Sequence, residues 1–278
     1  MSDWLQQALS PQRIYNAYRK VRNSPTPWSL AVNYHQWRQR PEYYLLELME
    51  SLRSGRYRPD PVRSFSVLKS DGKPRVISAQ MLKDKVAQRV VADLLSEKLD
   101  GCLSPSSFAY RPGRNVELAV NNARQEIHLG KHWIVQADIR QCFDWIPHRK
   151  LRKCLKHWVP DKQLQALFEL WLDQYAHQAG ILTQKKGIMQ GAVISPLWCN
   201  LYLHTLDSYL TRHRITFVRY ADNLMLFTNK EPVARKALKT LETGLGKLEL
   251  ELNQSKTYYG EISPRDRFLG QPLLQRTG

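Results

Sequence analysis

Two short apolar runs, Thr216-Phe217-Val218-Arg219-Tyr220 and Leu224-Met225-Leu226-Phe227, stand either side of Ala221-Asp222-Asn223. Runs of this length so close to a polar turn predict two neighbouring strands joined by a tight reversal. The turn holds Asp222 at the end of an apolar sheet, where a carboxylate is costly unless a charge of opposite sign meets it. A third run, Trp133-Ile134-Val135-Gln136-Ala137-Asp138-Ile139, predicts a buried strand with Asp138 near its end. Two carboxylates so placed suit a divalent cation with oxygen ligands, usually Mg²⁺. A single Asp in a turn more often serves as a turn or cap residue. The pair and its surroundings carry the argument.

Residues 1–62 predict a helical and irregular lead-in, with an amphipathic helix over Tyr43–Glu50 and an extended joint at Arg58-Pro59-Asp60-Pro61. Phe65–Leu68 and Arg75–Ser78 predict a hairpin around Asp71-Gly72. Helices are expected over 82–99, 147–178 and 231–248, and from Ser195 to about Leu210. A turn is expected over Gly187–Gly191, and Phe268-Leu269-Gly270 is expected to follow another short strand. Strands alternating with helices read as mixed α and β. The tryptophans Trp28, Trp37, Trp133 and Trp158 are read as core residues rather than base-stacking platforms.

Charge narrows the partner. The 278 residues include 42 Lys and Arg against 25 Asp and Glu, a formal +17 with an isoelectric point near 9.8. Such an excess favours a polyanion, and nucleic acid is the usual one. No stretch approaches the ~20 apolar residues of a membrane-spanning helix, and no membrane partner is expected. The N-terminus lacks a secretory pattern. The four cysteines, Cys102, Cys142, Cys154 and Cys199, have no C-x-x-C spacing and point to neither a zinc ribbon nor a disulfide framework. A reducing cytoplasm is the simplest compartment.

Seven blocks, taken in order, resemble bacterial reverse transcriptases of the group II intron type. They are Lys69-Ser70-Asp71-Gly72-Lys73-Pro74-Arg75, Ser107–Arg114, Asp138-Ile139 through Phe143-Asp144, Gly187-Ile188-Met189-Gln190-Gly191 with Ser195-Pro196 and Asn200, Arg219–Asn223, Leu252–Thr257, and Phe268–Gly270. The resemblance spans roughly 60–270. It implies an α+β right-hand polymerase with an antiparallel palm sheet and packed helices. Residues 1–62 would be an N-terminal helical extension, 63–130 the fingers and 131–278 the palm. Eight residues follow Gly270, so the expectation is a fingers-and-palm unit with no thumb, aided by a protein partner that grips the duplex.

The resemblance also implies roles. Asp138, Asp222, the Ile139 carbonyl and Asn223 would hold two Mg²⁺ ions, with Mn²⁺ as an alternative, for RNA-directed DNA synthesis from dNTPs on an RNA template with a DNA or RNA primer. Phe143 would exclude a ribose 2′-hydroxyl; an ordinary core role is the alternative. Gln190 would contact the incoming nucleotide, and Arg75 with Lys69 or Lys73 its triphosphate. Lys256 would donate a proton or touch phosphate, with packing or capping as the alternative. Arg111 and Arg114 would meet template phosphates, with a turn role as the alternative. Three features depart from the family pattern. Asn223 stands where a second Asp is usual, Met189 replaces a Pro, and Tyr110 replaces a Phe. A CRISPR-associated or antiphage setting is a possible context. A nucleic-acid-binding pseudoenzyme and a mobile-element remnant are the competing readings.

Overall fold

A computed structural model describes residues 3–68, 74–178 and 185–274; over 63–78 and 175–178 the description is of backbone alone. The chain begins with helices α1 (Trp4–Ala8), α2 (Pro11–Val21), α3 (Tyr34–Gln39) and α4 (Pro41–Arg53). Strands β1 (Arg63–Leu68) and β2 (Pro74–Ala79) lead into helix α5 (Leu82–Leu99). Next come α6 (Val116–His128), β3 (Trp133–Asp138), α7 (Cys142–Trp145), α8 (His148–Trp158), α9 (Lys162–Gln178) and α10 (Ser195–Arg212). The remainder is β4 (Thr216–Tyr220), β5 (Asn223–Thr228), α11 (Glu231–Lys247), β6 (Tyr258–Glu261), β7 (Arg267–Phe268) and β8 (Gln271–Pro272). Two compact units divide this chain, one made of Met1–Leu99 with Pro147–Trp198, the other of Asp100–Ile146 with Cys199–Gly278.

In the first unit α5 is the central helix. Val86, Ala87, Val90, Val91, Leu94 and Leu95 are all buried along it, because α1, α2 and α4 pack around it. A helix apolar on several sides needs that surround. The strands β1 and β2 pair antiparallel from Arg63↔Ala79 to Leu68↔Pro74, as the Asp-Gly signal predicts; the loop 69–73 lies outside the described residues. The stretch 147–178, expected to be helical, forms two helices. Pro160 has no amide hydrogen to continue α8, and Asp161 starts α9 afresh. Its Oδ1 accepts from the Gln163 and Leu164 amides at 2.9 and 3.0 Å, while Oδ2 accepts from Trp4 and Leu5 at 2.8 and 3.1 Å. One carboxylate therefore caps two helices, each by the usual satisfaction of orphan amides. Trp28 and Trp37 are buried, while Trp133 and Trp158 are half-buried.

The second unit is built on a four-stranded antiparallel sheet in the order β4-β5-β3-β6. Its central strands are buried on both faces: Ile134, Val135 and Ala137 on β3, and Leu224 through Phe227 on β5. That explains why these runs read as continuous apolar stretches rather than alternating ones. Ala119, Val120, Ala123 and Ile127 of α6 pack against Ile134, Val218, Met225 and Phe227, and α11 packs on β3, β5 and β6. Phe268, expected to follow a strand, lies within β7 and joins this core. Truncating one such buried Leu, Ile or Phe to Ala costs about 2–5 kcal/mol. The face that carries Ile134 and Gln136 ends at Asp138.

Candidate active site

The site forms where β3 and β5 end together. Asp138 lies directly opposite Asn223 in the ladder, and Tyr220 opposite Asn223 closes the reversal between β4 and β5. The two residues of that turn are Ala221 and Asp222. Ala221 adopts φ 56°, a conformation that glycine takes freely and alanine takes at a cost. Gln141, just past Asp138 and capping α7, is also left-handed at φ 43°. Strained backbone thus brackets both aspartates. The Ile139 amide donates to the Asp222 carbonyl at 3.0 Å, so the end of β3 is tied to the turn itself.

Around Asp138 the segment after α11 supplies donors. The Asn253 amide donates to the Asp138 carbonyl at 2.8 Å, and Asn253 Nδ2 donates to Oδ1 at 3.1 Å. Lys256 Nζ lies 3.6 Å from Asp138 Oδ2; the lysine side chain is 64% exposed and the aspartate 15%. Asn223 Nδ2 donates to Asp222 Oδ1 at 3.2 Å. Below them Cys142 and Cys199 place their sulfurs 3.9 Å apart in the buried interior. The Cys142 thiol is pushed well above its ordinary value by its contact with Cys199, by burial and by the charge of Asp222.

The turn is braced from behind by Arg219. Its Nε and Nη2 donate to Asp207 Oδ1 and Oδ2 at 2.7 and 2.6 Å, with both side chains 0% exposed. Its Nη1 donates to Asn200 Oδ1 and to the Ala221 carbonyl, each at 3.1 Å. Burial pulls the Arg219 guanidinium down, but the charge and hydrogen bonds of Asp207 outweigh it and leave it above the usual value. Asn200 in turn donates to the Ala109 carbonyl at 2.7 Å. Arg219, Asn200 and Asn253 stand in the sequence only as motif letters, and Asp207 lies outside the motifs. For Asp207 a signal existed: it occupies an apolar position among Leu203, Leu206 and Leu210.

Arg111 is held from within its own loop. Rather than facing a template, its guanidinium turns inward, with the residue 7% exposed. It donates to both Asp100 carboxylate oxygens at 2.7 and 3.2 Å, to the Asp100 carbonyl at 2.7 Å, and to the Ser104 and Ser107 carbonyls at 2.6 and 2.8 Å. All five guanidinium bonds are internal, which is the turn role. Arg114 donates to Pro105 and Ser107 carbonyls at 2.5 and 2.9 Å and lies over the Phe108 ring, but is half-buried rather than sealed. Together they hold the segment that pairs with β4 through the Arg219 amide to Ser106 and the Phe108 amide to Arg219, at 2.8 and 2.9 Å.

Phe143 lies on α7, half-buried. Gln190, in the first unit, sits half-buried in a turn between Gly187 at φ 93° and Gly191 at φ 96°. Neither glycine tolerates a side chain at that φ without strain. Met189 is buried, so the residue in place of Pro contributes a core contact. Lys69 and Lys73 lie outside the described residues, and Arg75 is placed only as a position on β2. Among the described residues no three His, Cys, Asp or Glu side chains cluster for a metal. The residues read from the resemblance as metal ligands would offer two carboxylates, the Asn223 amide oxygen and the Ile139 backbone carbonyl. These are hard oxygen ligands of the kind Mg²⁺ and Mn²⁺ take, so the set fits such an ion with one negative charge fewer than three carboxylates would bring.

A family model described as reverse transcriptase (RNA-dependent DNA polymerase) matches residues 67–273. Among curated proteins, Protein YkfC of Escherichia coli K12 is 24% identical over 90% of this chain and 76% of its own length. The group II intron-encoded protein LtrA of Lactococcus lactis is 28% identical over 85% of this chain and 39% of its own. The chain thus spans well under half of that intron protein. Among solved structures, an apo telomerase from Candida tropicalis truncated from its C-terminal domain superposes with a TM-score of 0.57 at 14% identity, covering 76% of this chain and 52% of that one. That likeness concerns the fold. No helix among the described residues is long and apolar enough to cross a membrane.

Proposed function

The chain belongs to the reverse transcriptase (RNA-dependent DNA polymerase) family, and on that premise we propose that it extends a primer with dNTPs along an RNA template at the Asp138–Asp222 site. The observation that carries this reading is the register itself. Asp138 faces Asn223 across two paired strands, and Asp222 occupies the turn beside it. Asp138, Asp222, the Asn223 side-chain oxygen and the Ile139 carbonyl would hold two divalent ions. When bound, such ions activate the primer 3′-hydroxyl and steady the departing pyrophosphate.

The chain's own residues supply positioning and charge. Lys256, beside Asp138, presents its ammonium where a phosphate oxygen or a leaving group can take a hydrogen bond. Phe143 supplies bulk one turn beyond Asp138 against a 2′-hydroxyl. The family resemblance would have Gln190 contact the nucleotide and Arg75, with Lys69 or Lys73, its triphosphate. Arg219 and Asn253 hold the two aspartates in place.

Primer extension on poly(rA)/oligo(dT) with Mg²⁺ and, separately, Mn²⁺ tests the reading. Extension that disappears in Asp222→Ala, with template-primer binding retained, supports it. Folded wild-type protein that binds template-primer but extends it with neither ion overturns it. Asn223→Asp restores the third carboxylate and is expected to raise activity at limiting Mg²⁺.

A further inference from the structure

Helix α8 carries a charge pattern that the polymerase reading does not use. Its eleven residues include Arg149, Lys150, Arg152, Lys153 and Lys156 and no acid. Leu151 and Leu155 are buried, while Arg149, Lys153, Lys156 and His157 are exposed. With 3.6 residues per turn, Arg149, Lys150, Lys153, Lys156 and His157 all fall within an arc of about 120°, and Arg149 to Lys156 spans about 10 Å. Arg152 points away from this ridge, where its Nε donates to Glu169 on α9 at 2.6 Å. Among the described residues neither Lys153 nor Lys156 meets a carboxylate. At the start of α8, the His148 amide donates to the Lys185 carbonyl at 2.9 Å and its ring meets the Gly187 carbonyl at 2.6 Å. These bonds bring the backbone of the Lys185-Lys186 pair alongside the helix.

Helix stability does not explain the ridge. Cations in the last turn are favoured by the helix dipole, which covers Lys156. Arg149, in the first turn, is on the wrong end. Lys153 and Lys156, three residues apart, are like-charge neighbours that disfavour the helix. Nor is the rest of the molecule equally basic. The first unit holds 25 Lys and Arg against 12 Asp and Glu, and the second 17 against 13, so most of the net charge belongs with α8.

We propose that the exposed face of α8, centred on Lys153 and Lys156, binds the phosphate backbone of a base-paired nucleic acid. Cations dominate this face and its His157 ring is packed edge-on against Trp158, an arrangement that suits phosphates rather than unpaired bases, which bind by stacking. A lipid surface is disfavoured because Leu151 and Leu155, the side that would enter it, are already buried in the protein. The inference does not depend on catalysis at the aspartates.

Fluorescence anisotropy of the full chain in EDTA, without dNTPs, tests it on an RNA hairpin, a DNA duplex, a single-stranded oligonucleotide and phosphatidylserine-containing vesicles, over a range of salt. Losing two phosphate contacts in the double variant Lys153→Ala/Lys156→Ala lowers the slope of log affinity against log salt by about 1.8 on a duplex, with at least about a tenfold loss at 0.1 M salt. Lys153→Arg/Lys156→Arg keeps the charge and is expected to keep the slope, while circular dichroism confirms that both variants fold. An unchanged slope in the alanine variant overturns the proposal. So does a loss seen only on single strands, or one seen on vesicles and not on duplexes. Because no divalent ion or dNTP is present, a negative result here leaves the primer-extension reading standing.

Discussion

Removing Asp207 exposes how the Ala221–Asp222 turn is held. In Asp207→Ala the Arg219 guanidinium stays buried with no counter-charge, keeping only its bonds to Asn200 and the Ala221 carbonyl. Breaking a fully buried pair from one side costs about 3–5 kcal/mol, because the remaining charge is desolvated and unpaired. At roughly 2–4 °C per kcal/mol for a chain near this size, the melting temperature should fall by about 6–20 °C. Replacing both partners, as Asp207→Leu/Arg219→Met, removes the orphaned charge and is expected to recover most of that loss. It does not restore the donor to the Ala221 carbonyl, so the double variant should fold well and extend primers poorly. Thermal melts followed by circular dichroism, with primer extension on the same preparations, measure both. A single variant that melts within about 2 °C of wild type refutes the reasoning, as does a double variant as unstable as the two single losses added together.

Two further outcomes follow from the geometry. Asp84 is fully buried, with Oδ1 accepting from the Tyr57 hydroxyl at 2.6 Å and Oδ2 from the Asp60 amide at 3.0 Å; burial raises its carboxyl from 3.8 to about 7. Between those values the folded chain holds a proton that the unfolded chain releases, so this group's contribution is complete below pH 3.8 and is lost as pH rises to about 7. Melts from pH 5 to 8 should show a decline, up to about 1.4 kcal/mol per pH unit below the midpoint, that is absent in Asp84→Asn; superimposable pH profiles would count against it. For Phe143→Ala, ribonucleotide use relative to dNTPs should rise at least tenfold in competition assays, and an unchanged ratio would return Phe143 to an ordinary packing role.

The palm hairpin was readable because its strands are buried on both faces and its turn is polar, so composition alone separates strand from reversal. The helices starting at Leu82, Ser195 and Glu231 were readable from their periodicity. Asp138 and Asp222 stood out as charges at the ends of apolar runs. Arg111 did not reveal its role, because an arginine in a Pro-Gly loop reads alike whether it faces solvent or is folded back on carbonyls. Asp207 was overlooked because one acid in an eighteen-residue helix resembles a surface charge until Arg219 arrives from β4. Nor could local pattern show that Asp161 starts α9 and also caps α1, since the second partner lies more than 150 residues away.

The two units are threaded through one another in sequence, and this shapes how the chain can be made. The helices α1 to α5 leave the ribosome first, but the part of their unit that holds α8 and α9 is finished only at Trp198. At about 5–20 residues per second, synthesis of the intervening hundred residues takes about 5–20 s. During that time the apolar flanks that α9 will cover are open to water. The sheet unit likewise receives β3 long before β4 and β5 supply its neighbours. Nascent-chain stalling at Leu99 and at Trp198 should therefore give very different protease resistance for α1–α5. Any scheme that divides this protein for expression must respect cuts at three places in the chain, not one.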